Sequence, residues 1–291
     1  MDFGISTHVF HGETLTPAHL DRVRDAGFPL VEIFATRTHF DYHDRKAAEA
    51  LRGWLDARDL SAWSVHAPIC DGFRGGVWGR AYSNASRESA TRDEAVAETV
   101  ASIEAAAILG AGIVVLHLGI PMGQPVPPND NDRAAASRAL EPIARACEAH
   151  GVRLAIEVIP NALATADAVA AWLEGDLDLG RAGACLDFGH AHITGGTPEA
   201  IERLSGHIIT THVHDNAGRS DDHLLPFAGT VDWPASLTAL WKVGYQGPLI
   251  FELPDHGDAN RVLEQATRTA ARIRAILEDA AAPFPFRDDA S

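Results

Sequence analysis

The chain is poor in cysteine and nearly devoid of lysine. Its three cysteines are Cys70, Cys147 and Cys185, an odd number with no C-x-x-C spacing. That excludes a disulfide framework and a thiolate zinc finger, and the expectation is reduced thiols in a cytoplasmic protein. Lys46 and Lys242 are the only lysines; arginine supplies the rest of the 24 basic residues, set against 40 acidic ones for a formal charge of −16. No basic cluster stands out, which disfavours a grip on a nucleic-acid backbone. No apolar run approaches the length of about 18 residues that a membrane-spanning helix needs. The opening MDFGISTHVFHGE has no basic stretch followed by an apolar one, so no signal peptide is expected. A Gly-rich phosphate loop is also missing after the first apolar run: GISTHVF is not G-x-G-x-x-G, which argues against a doubly wound dinucleotide fold. There is no Ser/Gly linker to mark a domain boundary.

What is present is a regular alternation. Short apolar runs fall near 2–6, 30–35, 61–67, 112–118, 153–159, 183–188, 208–214 and 248–253. Amphipathic segments lie between them near 17–26, 44–58, 88–109, 132–150, 164–174, 198–205, 234–243 and 259–280. Thr16, Thr197 and Asp232 stand as helix caps, and Gly27, Gly110, Gly151 and Gly244 as helix ends. Eight strands alternating with eight helices predict an α/β fold, a single-domain (β/α)8 TIM barrel over residues 1–280, followed by a C-terminal tail at 281–291 that frays or packs through Phe284 and Phe286. The segments 69–87 and 121–132 read as long loops on the barrel face that carries active sites.

Six of the apolar runs carry a His, Asp or Glu near their C-terminal end: SVHAP, VVLHLG, LAIEVIP, CLDFGH, THVHDN and LIFELP. Such groups are costly to bury unless paired or bound to a metal. In a barrel these ends meet at one mouth, so His66, His117, Glu157, Asp187, His212 and Glu252 converge, from the third to the eighth strand. His190, Asp221 and His223 follow closely in sequence. Nitrogen and oxygen donors of this kind suit a divalent ion such as Mn, Co, Mg, Fe or Zn. His214 shares strand parity with His212, so either can face the mouth. His8, His190, Trp78 and Arg219 are candidates for substrate contact. Phe10, Phe34 and Tyr82 are further candidates for an apolar wall, and Arg219 is suited to a carboxylate or phosphate.

Three stretches carry a family resemblance over nearly the whole chain: CLDFGHAHITG (185–195), HVHDN…DDHLLPFAGTVDW (212–233) and PLIFELP (248–254). They resemble the xylose isomerase-like TIM barrels, the superfamily of sugar-phosphate isomerases and epimerases and of endonuclease IV-type apurinic endonucleases. The resemblance implies a single-metal site held by Glu157, Asp187, His212 and Glu252. Glu157 and Glu252 would then move protons on opposite faces of an enediolate derived from a sugar, sugar phosphate or polyol. The endonuclease branch implies a fuller set, with His66, His117, His190, Asp221 and His223 as additional ligands of a multinuclear zinc phosphodiesterase. Phe227-Ala228 stands where the family often has Gly-Glu, which removes that glutamate but none of the ligands. The isomerase or epimerase is the favoured expectation, because Arg74, Arg80, Arg87 and Arg219 are the only basic residues that the mouth loops offer DNA. The expected partner is a small sugar or polyol, and the apolar mouth loops leave room for a homo-oligomer.

Overall fold

The structure is a computed structural model and describes residues 1–124 and 130–281. Its strands are β1 (Phe3–Ser6), β2 (Leu30–Phe34), β3 (Ser61–His66), β4 (Phe73–Arg74), β5 (Val77–Trp78), β6 (Ile113–Leu116), β7 (Arg153–Glu157), β8 (Gly183–Asp187), β9 (Ile208–Val213) and β10 (Leu249–Phe251). Eight of these close a parallel barrel in the order β1-β10-β9-β8-β7-β6-β3-β2. The helices are α1 (Pro17–Asp25), α2 (Arg45–Asp56), α3 (Ser89–Leu109), α4 (Arg133–His150), α5 (Ala166–Leu173), α6 (Phe188–Thr194), α7 (Thr197–Arg203), α8 (Trp233–Lys242) and α9 (Ala259–Ala281). The predicted TIM barrel is therefore the observed fold. The expected tail packing and residues 125–129 of the Pro-rich loop lie outside the described residues.

Local chemistry explains the helix starts. Asp44, Asp132, Thr165 and Asp232 each accept a backbone N–H in the first turn of α2, α4, α5 and α8. Thr16 caps α1 together with His19. Thr197 is not a cap: Gly196 takes that place, and the Thr197 hydroxyl instead donates to Phe188 O at 2.9 Å, tying α7 to the start of α6. α2 shows the expected apolar spacing, burying Ala48, Leu51 and Leu55. Three elements, α6, β4 and β5, exceed the predicted pattern. α6 starts directly on β8, because Asp187 ends the strand and its Oδ1 accepts the His190 N–H at 2.6 Å. The antiparallel pair β4–β5 forms a small hairpin inside the 69–87 loop.

A large apolar layer fills the space between sheet and helices, and a small separate cluster of Ile113, Val115, Ala155 and Cys185 plugs the barrel interior. Two register shifts shape that interior. Val31 pairs with Ala62 but Glu32 with Ser64, leaving Trp63 extra on β3; Ala184 pairs with Ile208 but Cys185 with Thr210, leaving Ile209 extra on β9. Bulged residues re-aim their neighbours. Trp63 and Ile209 both pack on the interior cluster, and Trp63 Nε1 donates to Thr210 Oγ1 at 3.0 Å. Gly4 allows β1 to close the barrel, since a Cβ there would lie 2.6 Å from Ile250 Cδ1 and 2.9 Å from Leu30 O.

Candidate metal centre and active site

The strand ends deliver the candidate ligands. Glu157 closes β7, Asp187 closes β8, His212 is the penultimate residue of β9, and Glu252 follows β10. Their donor atoms all lie within 4.8 Å of one another. His66, at the end of β3, and His117, just past β6, form a second group with Glu157. His190, His214, Asp221 and His223 form a third. All nine residues of the fuller set are thus brought into one continuous cluster, and His214 joins His212 in it rather than replacing it.

The hydrogen bonds show why these rings are oriented as they are. His66 Nδ1–H donates to Ala67 O at 2.8 Å, His190 Nδ1–H to Val158 O at 3.1 Å, and His223 Nδ1–H to Glu252 O at 3.0 Å. Each then turns Nε2 to a carboxylate: Glu157 for His66 at 3.2 Å, and Asp221 for His190 and His223 at 3.1 and 3.0 Å. His212 is pinned the other way round. Its Nε2–H donates to Glu32 Oε2 at 3.0 Å, and its Nδ1 faces Glu157 Oε1 at 3.2 Å, Glu252 Oε2 at 3.3 Å and Asp187 Oδ2 at 3.8 Å. One nitrogen cannot satisfy three carboxylate oxygens with a single proton. One imidazole nitrogen among three carboxylate oxygens is the donor set of a divalent cation, so the residues fit a metal ion.

Electrostatics agree with that geometry. Burial opposes the charged form of His66, but Glu157 beside it outweighs burial and lifts its pKa to about 9. Asp221 does the same for His223, lifting it to about 10. Burial also opposes the charged forms of His190 and His212, and the surrounding acids still hold both well above the ordinary histidine value. Glu157 is completely buried, yet His117 and His212 keep it well below the usual carboxylate range. Without a cation the cluster is held together by protons; a metal ion would take their place.

Above the cluster a cavity of about 440 Å³ opens to solvent. His66, His117, His190, Asp221, His223 and Glu252 form its polar side, while Phe34, Phe73 and Trp78 form an aromatic one. Glu252 reaches this cavity, whereas Glu157 lies beneath the imidazoles. His8 and His11 continue the wall: their rings stack with centroids 4.6 Å apart, and His11 stacks on Trp78 at 4.9 Å. Burial first, then the nearby His223, holds His8 well below the ordinary value and therefore neutral. Arg219 is exposed and does not line the cavity. Phe10 packs on His19, and Tyr82 lines a separate small pocket. Arg80 and Arg87 pair with Glu94 and Asp132, and among the described residues the cavity wall has acids and histidines but neither Arg nor Lys.

The loop that follows β9 is organised by Asp215. Its carboxylate accepts the backbone N–H groups of Asn216, Phe227 and Val231 and the Trp233 indole N–H, at 2.8 to 3.1 Å. This fixes the span that presents Asp221 and His223. Phe227 adopts φ +73°, the left-handed region that favours glycine, at the position where the resemblance expects glycine. Its ring lies beneath the Arg272 guanidinium at 3.7 Å and against Trp233.

Sequence reasoning did not single out Glu32 and His11. Glu32 had a legible signal, a carboxylate inside the apolar run LVEIF, but it stands mid-strand rather than at a strand end. His11 sits in a polar stretch and had no such signal.

Residues 20–276 match the family described as Xylose isomerase-like TIM barrel. The chain belongs to that family. A relative of Methanocaldococcus jannaschii, the uncharacterized protein MJ1311, is 29% identical over 96% of this chain and 90% of its own length. The uncharacterized protein y4fM of Sinorhizobium fredii is 36% identical over 52% of this chain, a match that spans only half of that protein. Among solved structures, a D-tagatose 3-epimerase-like protein superposes with a TM-score of 0.79 at 25% identity, covering 97% of this chain and 100% of that one. The IolI protein, solved with a bound zinc atom, gives a TM-score of 0.73 at 18% identity over 97% and 100% of the two chains.

Proposed function

We propose that the protein is a metal-dependent sugar epimerase or isomerase acting on an unphosphorylated ketose or polyol-like substrate. The observation that carries this reading is the gathering of Glu157, Asp187, His212 and Glu252 around one point beneath an open cavity that Glu252 lines. The family and the D-tagatose 3-epimerase-like neighbour support it. A bound divalent ion supplies polarisation of a carbonyl and its neighbouring hydroxyl, which makes the adjacent C–H acidic enough to ionise.

The chain's own groups then have distinct tasks. Glu252, on the cavity wall, accepts the proton from the carbon next to the carbonyl; the C–H electron pair becomes the C=C bond of an enediolate. The second transfer falls to Glu157 together with the imidazoles that contact it and line the cavity, His66, His117 and His190: this group returns a proton to the same carbon from the other face for epimerisation, or to the neighbouring carbon for isomerisation. The same three imidazoles hold the Glu157 carboxylate in place, at 3.2 to 3.4 Å. Phe34 and Trp78 offer apolar surface to a sugar's C–H face. Among the described residues the wall has no Arg or Lys to form a bidentate phosphate clamp, which favours a neutral sugar over a sugar phosphate.

The test is solvent exchange. The metal-loaded protein is incubated with a panel of ketoses in D₂O, and deuterium at the carbon next to the carbonyl is read by NMR. Exchange is expected for the wild type, with at least a 100-fold loss in Glu252→Gln and in Glu157→Gln. Exchange that persists in both variants refutes the two-carboxylate mechanism. A phosphodiesterase is the second reading, favoured by the third cluster of His190, Asp221 and His223. Cleavage of abasic-site DNA without ketose exchange would establish it.

A further inference from the structure

Among the four imidazoles whose orienting hydrogen bonds are described above, His66, His190, His212 and His223, His212 is the exception. His66, His190 and His223 are each pinned by a neutral backbone carbonyl, whereas His212 is pinned by a carboxylate. That carboxylate belongs to Glu32, on a strand that contributes no ligand. It is completely buried, and its Oε1 has no hydrogen-bond partner. Ser64 Oγ–H donates to Oε2 at 2.8 Å, the same oxygen that accepts from His212. The register shift at Trp63 puts Ser64 opposite Glu32, so the bulge, the serine and the acid form one local device. An unpaired buried carboxylate oxygen costs several kcal/mol to retain, and a mere packing position would be filled by an apolar residue.

We propose that Glu32 is a positioning residue for the metal centre: it fixes the tautomer of His212 so that Nδ1 faces the ligand cluster, and its charge raises the electron-donating strength of that nitrogen. The inference rests on the proposed metal-dependent reading of the site. A neutral imidazole free of Glu32 would place its proton on Nδ1, where three carboxylate oxygens attract it; that proton would block the metal. With Glu32 in place Nε2 carries the proton and Nδ1 is free to bind. Ser64 keeps the Glu32 carboxylate turned toward His212. Outer partners of this kind change metal affinity by about 10- to 100-fold.

The experiment measures zinc binding rather than turnover. The chelator-stripped protein is titrated with Zn²⁺ by calorimetry, for wild type, Glu32→Gln, Glu32→Ala and Ser64→Ala. The His212 ring nitrogens are followed by ¹⁵N NMR in the zinc-loaded protein. The expected result is a 10- to 100-fold weaker Kd in Glu32→Ala, an intermediate loss in Glu32→Gln, which keeps an acceptor but not the charge, and a smaller loss in Ser64→Ala. The wild type is expected to show a protonated Nε2 and a zinc-bound Nδ1, with Nε2 of Glu32→Ala shifted toward the signal of an unpinned imidazole. If Glu32→Ala does not fold, the Gln and Ser64 variants decide. Unchanged affinity and an unchanged Nε2 signal in the folded variants overturn the proposal, as does a wild type that binds no zinc. Failure to find ketose exchange leaves both readouts intact, so it counts against the proposed reaction alone.

Discussion

At the scale of single residues, cost and function separate cleanly. His39 is buried in the loop after β2, with Nδ1–H donating to Glu13 O at 2.6 Å and Nε2 without a partner. Burial lowers its pKa to about 4. The folded protein keeps it neutral, while the unfolded chain takes up a proton near pH 6.5. Its contribution to stability is therefore complete above about pH 6.5 and is lost as the pH falls to about 4, by roughly 3 kcal/mol at 1.36 kcal/mol per unit. In His39→Gln this acid sensitivity is expected to vanish, so the free-energy gap between wild type and variant should narrow between pH 7 and pH 4 in denaturant titrations. A gap that stays constant would show that His39 does not titrate in this way. The strand-end acids and histidines were legible at this scale because each interrupts an apolar run. Glu32 interrupts one equally well, but nothing in one sequence says that a mid-strand acid points at a histidine 180 residues away.

At the scale of elements, tight junctions matter more than intrinsic propensity. α6 follows β8 with no intervening loop, and Gly189 in its first turn lies so close to His214 that an added Cβ would collide with the ring. His214 Nε2 in turn contacts Asp187 Oδ2 at 2.9 Å. By helix propensity alone Gly189→Ala should stabilise by about 1 kcal/mol. The expected outcome has the opposite sign: destabilisation of roughly 2 kcal/mol or more, because the collision overpacks the junction. Thermal unfolding checks this, and a raised Tm would refute the packing argument. The eight strands and eight of the helices were readable from periodicity and punctuation. α6 was not, because its cap is also a candidate ligand and FGHAHIT carries no amphipathic stripe. The β4–β5 hairpin was hidden in a glycine-rich loop for a similar reason: two-residue strands leave no period to read.

At the scale of the whole molecule, the barrel gathers acidic charge at its mouth. Five carboxylates, Glu32, Glu157, Asp187, Asp221 and Glu252, meet a set of histidines above a small apolar plug. Such a cluster should be a stability centre for a cation. Stripping the protein with a chelator is expected to lower its Tm. Restoring Mn²⁺, Co²⁺ or Zn²⁺ at about 100 times its Kd should return about 2.7 kcal/mol, or roughly 5–10 °C. No shift with any of the three ions would mean that the cluster is a proton-held ion-pair network. Fold class and the candidate ligands that meet at the mouth could be read from the sequence alone, since strand-end placement is a local property and a parallel barrel converts strand ends into one mouth. What only the tertiary structure decided is how the ligands are arranged: that Glu252 faces the cavity while Glu157 lies beneath the histidines, that Arg219 stays out of it, and that Glu32 supports His212 from below. Those relations depend on register, on the bulges at Trp63 and Ile209 and on how β2 lies beside β3, which are set by packing across the barrel and leave no period in the chain.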